Sequence, residues 1–384
     1  MQDTQKIAIL KKLITFASVN DNEAAVAAYI KSLFAGLPHV TCETVAYAPR
    51  RDNLVITIGN TGPLLGFSGH MDVVAPGKES DWSTPPFQPV IKTGRLYGRG
   101  AADMKSGLAA LVVALLELAE DSTQLNGRIR LLATVGEETG EYGAAQLTAA
   151  GYADHLAGLL IAEPTDNMQE IVYTARGVID YRVTSNGKAA HSARPEDGVN
   201  AIDNLLTFYR LAKQKLAAFD QTDPILGKNT HSITKITGGE QVNSVPSYAE
   251  LMGNIRTIPQ YPNQVFFAAL EQIVAALNQQ PGYDLTLSYS FPEEAIPGDP
   301  HSNLVQLAQQ VYQKHWDHPA KVAGELGAND GAEFLQARGD FDSIVIGPGA
   351  NVSHQSNEYV VLETYLKACA FYKDFATTFF STQQ

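Results

Sequence analysis

Three short apolar runs, 64–68, 129–135 and 159–162, each lead into a histidine or an acid: His70, then Glu137 with Glu138, then Glu163. Runs of this length bounded by turn residues read as buried strands. Residues 53–58 and 343–346 have the same character, and a long apolar helix spans about 105–120. Strands alternating with helices imply an α/β body with a largely parallel sheet. In such a sheet ligands collect beyond the carboxyl ends of the strands, which is where the acids and imidazoles of this chain fall.

The rest of the chain completes a two-part plan. Ile7, Leu10 and Ile14 share one helical face, and Val26, Ile30 and Phe34 another, after the capping candidates Asn20 and Asp21. After Tyr173 the pattern becomes a strand (177–185), a helix (200–216), strands near 232–236 and 249–255, a helix (263–278) and a strand (283–289). This α+β module reads as an insertion, residues 177–289, in a discontinuous catalytic body formed by 1–176 and 290–384. The body resumes with a helix at 303–315.

Composition removes several classes of function. With 28 Lys and Arg against 41 Asp and Glu the net charge is −13, and no basic run is present to meet a phosphate backbone. No nucleic-acid partner is expected. Cys42 and Cys369 are the two cysteines, too few for a disulfide framework or a thiolate zinc knuckle, so any metal must be held by histidines and carboxylates. The first residues lack an uninterrupted apolar stretch, and the longest apolar run, 107–116, is too short to span a bilayer. The expectation is a cytoplasmic protein with no membrane partner.

His70 and Asp72 lie two apart at a strand end and so project to one face. They suit a metal ligand and the acceptor of its other N–H, although a loop histidine capped by an acid reads the same way in isolation. Asp103 sits in the glycine-punctuated turn GRGAAD before the long helix. Gly98-x-Gly100 resembles the start of a dinucleotide fingerprint, but Asp103 stands at the third glycine, where its charge would oppose a pyrophosphate. A cation explains an acid there better. Likewise GFSGH puts His70 where a serine nucleophile elbow needs glycine. The Glu137–Glu138 pair alone reads as a solvated turn; its place at a strand end argues for chemistry. His354 follows the strand at 343–346. Two imidazoles and three carboxylates, one of them bridging, suit two divalent ions of the zinc, cobalt or manganese type. A spare glutamate is then free to act as the base.

Taken together, SGHMDVV, GRGAADMKSG, GEETG, AEPT, GKAAHSARPEDGVNAI and SHQSNEYV resemble the M20 metallopeptidase family, over nearly the whole chain. The resemblance implies a zinc-exopeptidase-like fold with a mixed, mostly parallel sheet, and a lid that also forms a homodimer. It implies His70 and Glu163 on one metal, Glu138 and His354 on the other, Asp103 bridging, Asp72 orienting His70, and Glu137 as general base. It also implies a cis Asp103–Met104 peptide. His191 would stabilise the oxyanion in the partner's site, and Arg176, Asn243 and Arg256 would hold the substrate carboxylate.

The expected reaction is removal of an N-acyl group from an amino acid. N-succinyl-LL-2,6-diaminopimelate is the first candidate; acetylornithine, N-acyl amino acids and dipeptides are the alternatives. A binding protein without catalysis is a weaker reading, because every expected ligand and the base are present. One loop departs from the family pattern: GELGANDGAEFL has Ala328 in place of threonine and Ala332-Glu333 where an arginine is expected.

Overall fold

The apolar runs form strands at Arg51–Ile58, Leu64–His70, Arg128–Thr134, Gly158–Ile161 and Ser343–Val345, and the long helix forms at Lys105–Glu120. The computed structural model describes residues 1–120 and 126–382. It comprises two units: Met1–Thr174 with Gly298–Ala323 and Asn329–Gln384, and Ala175–Pro297 with Gly324–Ala328.

The first unit is built on an eight-stranded sheet in the order Val40–Ala48, Arg51–Ile58, Arg128–Thr134, Leu64–His70, Gly158–Ile161, Ser343–Val345, Glu170–Ala175, Lys321–Glu325. Its four central strands run parallel. Antiparallel strands flank them, so the sheet is mixed. Register sets His70 opposite Thr134 and Ser68 opposite Ile161, which brings the carboxyl ends of the central strands to one edge.

Both faces of this sheet are covered, which is why its strands are apolar without alternation. Leu65, Phe67, Ile129, Leu131 and Leu160 pack with Leu10 and Leu13, Val26 and Ile30, the helix Lys105–Glu120, and Phe371 and Phe375 of the helix Leu362–Thr382. Leu64, Leu132, Leu159 and Ile161 face the other way, onto Ala144 and Leu147. The helix Lys105–Glu120 is buried almost throughout, as expected of one apolar on every side. Its approach to the sheet requires Gly107, where a Cβ would lie 2.0 Å from the Ala162 carbonyl oxygen.

The start of the second helix differs from expectation. Glu23–Leu33 begins after Asn22, which is in the left-handed region and makes no side-chain cap. Asp21 instead accepts from the Asn22 N–H at 2.7 Å and pairs with Arg50, so neither Asn20 nor Asp21 serves as the cap.

In the second unit four antiparallel strands run in the order Thr230–Gly238, Tyr248–Thr257, Gly177–Asn186, Leu285–Glu293. The two inner strands alternate buried and partly exposed residues, and the buried set, with Ile179, Val183, Leu251 and Ile255, packs against Leu205, Phe208, Phe266 and Leu270 of the helices Ala201–Leu216 and Asn263–Asn278. Asn200 caps the first of these helices, accepting from the Ile202 and Asp203 N–H groups. The chain returns to this unit at Gly324–Ala328, where the Glu325 carbonyl accepts from the Arg176 N–H at 3.0 Å. Among the described residues no helix is long and apolar enough to cross a membrane.

Candidate metal centre

Parallel strands deliver their polar ends together. His70 closes Leu64–His70, and Glu163 follows Gly158–Ile161 by two residues. Gly136, at φ +70°, turns the chain after Arg128–Thr134 into a short 3-10 helix of Glu137–Thr139. Asp103 arrives from the turn before Lys105–Glu120, joined to Met104 by a cis peptide. His354 comes from the loop after Ser343–Val345.

These side chains converge. His70 Nε2 lies 3.1 Å from Asp103 Oδ1 and 3.4 Å from Glu163 Oε1. His354 Nε2 lies 2.9 Å from Glu138 Oε2 and 3.5 Å from Asp103 Oδ2. The two oxygens of Asp103 therefore face two different histidine–glutamate pairs. The carboxyl of Glu137 sits within 4.8 Å of the ligand atoms of His70 and Glu163.

Asp72 is at the site but acts differently from expectation. The acceptor of the His70 Nδ1–H is the Asp72 backbone carbonyl, at 2.9 Å, while the carboxylate stays 3.7 Å away. A carbonyl can only accept, so Nδ1 carries a proton and Nε2 is the ring nitrogen turned toward the acids. The Asp72 carboxylate, fully buried, instead accepts from the N–H groups of Gly136, Glu137 and Glu138 at 3.0, 3.3 and 3.2 Å. It holds the turn that carries the two glutamates.

The donor set fits divalent cations. Burial drives the Glu163 carboxyl up to about 8 against the pull of His70. Burial likewise raises Glu137 well above the carboxylate range; His70 opposes this, and Glu163, Asp330 and Glu138 add to it. Burial alone would lower His70, yet Glu163 and Asp103 hold it well above the imidazole range. The bond to Glu138 raises His354. So many acids held together cannot all ionise without positive charge among them. Glu138 Oε1 is buried and accepts no hydrogen bond, leaving a lone pair for a cation. His354, with its side chain 58% exposed, forms the open side of the group.

Two further buried acids reach the cluster. Asp330, from the divergent loop, accepts from Thr134 Oγ1 at 2.6 Å and adds negative charge near Glu137 and Glu163. Glu358 accepts from backbone N–H groups of the Asp103 turn. The NDG and SNE segments carry acids, but contacts across such sequence distances leave no local signal. Glu333, at the position of the expected arginine, instead lines a surface depression with Ala145, Thr148 and Arg338, and burial raises its carboxyl.

The remaining expected residues lie in the second unit. His191 pairs in register with Ser244, and its Nδ1 accepts from the Ala193 N–H at 3.0 Å, which leaves Nε2–H as a donor. The Asn243 carbonyl accepts from Ser192 N–H at 3.1 Å, so Asn243 and His191 are neighbours. Arg256 lies opposite Val178 and Thr230 in the sheet. Arg176 donates from its guanidinium to the Leu226 carbonyl, a contact that ties down the loop around Asp223 and Gly227.

Comparison with known proteins places these features. Residues 66–378 match the model of peptidase family M20/M25/M40. A probable succinyl-diaminopimelate desuccinylase of Staphylococcus aureus is 36% identical, with 97% of each chain covered. An aminopeptidase PepT structure from Bacillus cereus superposes with a TM-score of 0.79 at 20% identity, covering 98% of each chain. A Bacillus subtilis structure described as a dinuclear metal-binding peptidase of family M20 gives 0.70 at 16% identity, covering 99% of each chain. The class is that of hydrolases that cut amide bonds with the help of divalent metal ions. Within it, the chain belongs to peptidase family M20/M25/M40.

Proposed function

We propose that this chain is a dinuclear amidohydrolase that converts N-succinyl-LL-2,6-diaminopimelate and water into succinate and LL-diaminopimelate. The observation that carries the chemistry is Asp103, whose two oxygens address His70 with Glu163 on one side and His354 with Glu138 on the other. The substrate rests on the 36% identity to relatives named for that reaction.

His70 and Glu163 would hold one ion and Glu138 and His354 the other, with Asp103 between them; zinc suits these nitrogen and oxygen donors, as do cobalt and manganese. When bound, the two ions supply positive charge at the scissile carbonyl and acidify the attacking water. Glu137 takes a proton from that water as its oxygen attacks the carbonyl carbon, then delivers a proton to the amine nitrogen as the C–N bond breaks. Asp72 fixes the turn that aims Glu137. The proposal keeps residues 177–289 as a lid and dimerisation domain inserted in a catalytic domain of 1–176 and 290–384. His191 then donates from Nε2–H to the developing oxyanion in the partner subunit, and Arg176, Asn243 and Arg256 bind the substrate carboxylate.

A second reading keeps the chemistry and changes the substrate. With Ala332-Glu333 in place of an arginine, the divergent loop offers less positive charge for a triply carboxylated substrate. That favours acetylornithine, another N-acyl amino acid or a dipeptide. The test is a side-by-side panel of these substrates with zinc-loaded protein and identification of the released products. Fastest release of succinate from N-succinyl-diaminopimelate supports the first reading, and faster release from another member of the panel replaces it with the second.

A further inference from the structure

Glu358 has no exposed surface, and a buried carboxylate is costly unless fully hydrogen-bonded. Its Oε1 accepts from the N–H groups of Ala102 and Asp103 at 2.7 and 2.9 Å, and its Oε2 from the N–H of Gly100 at 3.0 Å and from Arg99 at 2.5 Å. A residue more than 250 positions away thus organises the backbone turn from which Asp103 projects. Its own carbonyl also accepts from Gly98 N–H at 3.0 Å, fixing the start of that turn.

Arg99, equally buried, extends the connection. Its second guanidinium nitrogen donates to the carbonyls of His354 and Ala75, each at 3.4 Å, and its plane lies over Trp82, 5.2 Å from the ring centre. The Arg99–Glu358 pair therefore grips the turn bearing Asp103 and the backbone of His354 at once. Those two side chains approach at 3.5 Å, Asp103 Oδ2 to His354 Nε2. A buried ion pair is weak evidence for stability, since apolar replacements are often no worse. Its placement points to geometry.

We propose that Glu358 is a positioning residue which, with Arg99, sets the spacing of Asp103 and His354 and thereby the affinity of the cation between Glu138 and His354. The proposal rests on the dinuclear reading above. Partners that orient metal ligands typically change metal affinity by about 10–100-fold when replaced. Glu358→Gln keeps the shape but turns a donor toward backbone N–H groups. Arg99→Lys keeps the charge but loses the fork that reaches two carbonyls.

The experiment is a zinc titration of the metal-free full-length chain against a chromophoric chelator, with urea unfolding of each variant alongside. Wild-type protein takes up two zinc ions per chain. In Glu358→Gln one of them weakens by about 10–100-fold while the other holds within about threefold, and Arg99→Lys moves the same ion. Wild-type affinity for both ions in Glu358→Gln overturns the proposal. So does equal weakening of both with a lowered urea midpoint, which a purely structural pair would produce, and so does failure of both variants to fold. Wild-type protein that takes up no zinc overturns the dinuclear reading itself, a failure recognised before any variant is compared.

Discussion

Glu137→Gln isolates the proton-transfer step. Glutamine has nearly the same volume, and the backbone N–H at 137 still donates to Asp72, so the turn keeps its shape. In the proposed ligand set Glu137 binds neither ion, so metal uptake is expected to stay at two per chain. Positioned general bases contribute about 10²–10⁴-fold, or about 3–5 kcal/mol of transition-state stabilisation. The expected result is a kcat lower by about 100- to 10,000-fold with KM nearly unchanged, because the group acts in the transition state and not in binding. Loss of an acid crowded by Glu163 and Asp330 also predicts that the metal-free variant is no less stable than wild type. The assay is release of primary amine from the acylated substrate by zinc-loaded enzyme, with zinc content measured on the same sample. A kcat within tenfold of wild type, with zinc bound, would refute the assignment of Glu137 as the base.

Other perturbations test separate parts of the account. Asp72→Asn places an amide N–H2 against backbone N–H groups and should weaken zinc binding by about 10–100-fold, read by chelator competition; unchanged affinity would mean that the turn holds itself. Gly107→Ala should cost at least about 1–3 kcal/mol by overpacking against the Ala162 carbonyl, visible as a lower urea midpoint. Because Glu163 is raised from 4.5 to about 8, the folded metal-free chain binds a proton that the unfolded chain releases. Its contribution to stability is full below about pH 4.5 and is lost as pH rises through about 8. The melting temperature of metal-free protein should fall across that window and zinc should flatten the fall; a flat metal-free profile contradicts it. His191→Ala should cut kcat with zinc and dimer intact, and mixing it with Glu137→Gln should restore part of the activity if the histidine serves the partner. No recovery on mixing removes the in-trans role.

Much of the cluster was legible because each central strand is a continuous apolar run that ends in a chemically distinctive residue. His70, Glu137, Glu138, Glu163 and His354 announce themselves by that break, and Asp103 by standing where a dinucleotide-type turn would have its third glycine. The order of the strands was not legible, since pairing such as Ser343–Val345 with Gly158–Ile161 depends on contacts remote in sequence. The strand Val40–Ala48 shows no continuous apolar run, because it lies at the sheet edge with most of its residues exposed and Thr41, Glu43 and Thr44 interrupting its apolar ones. The helix Leu362–Thr382 mixes aromatic and threonine residues that favour strands, and packing of Phe371 and Phe375 decides its form. Asp72 shows a subtler limit. Spacing places it beside His70, but three backbone N–H groups compete for its carboxylate and win, leaving the carbonyl to orient the imidazole. Asp330 and Glu358 act through partners 196 and more than 250 residues away, so only the folded chain assigns them to the site.

The most direct test of the dinuclear amidohydrolase reading is the rate of N-succinyl-LL-2,6-diaminopimelate hydrolysis as zinc is added stepwise to metal-free protein. Activity should be absent at the start, rise to a plateau at about two zinc ions per chain, and disappear again when a chelator removes them. Full hydrolysis in the presence of chelator, or no hydrolysis with two zinc ions bound, would contradict it.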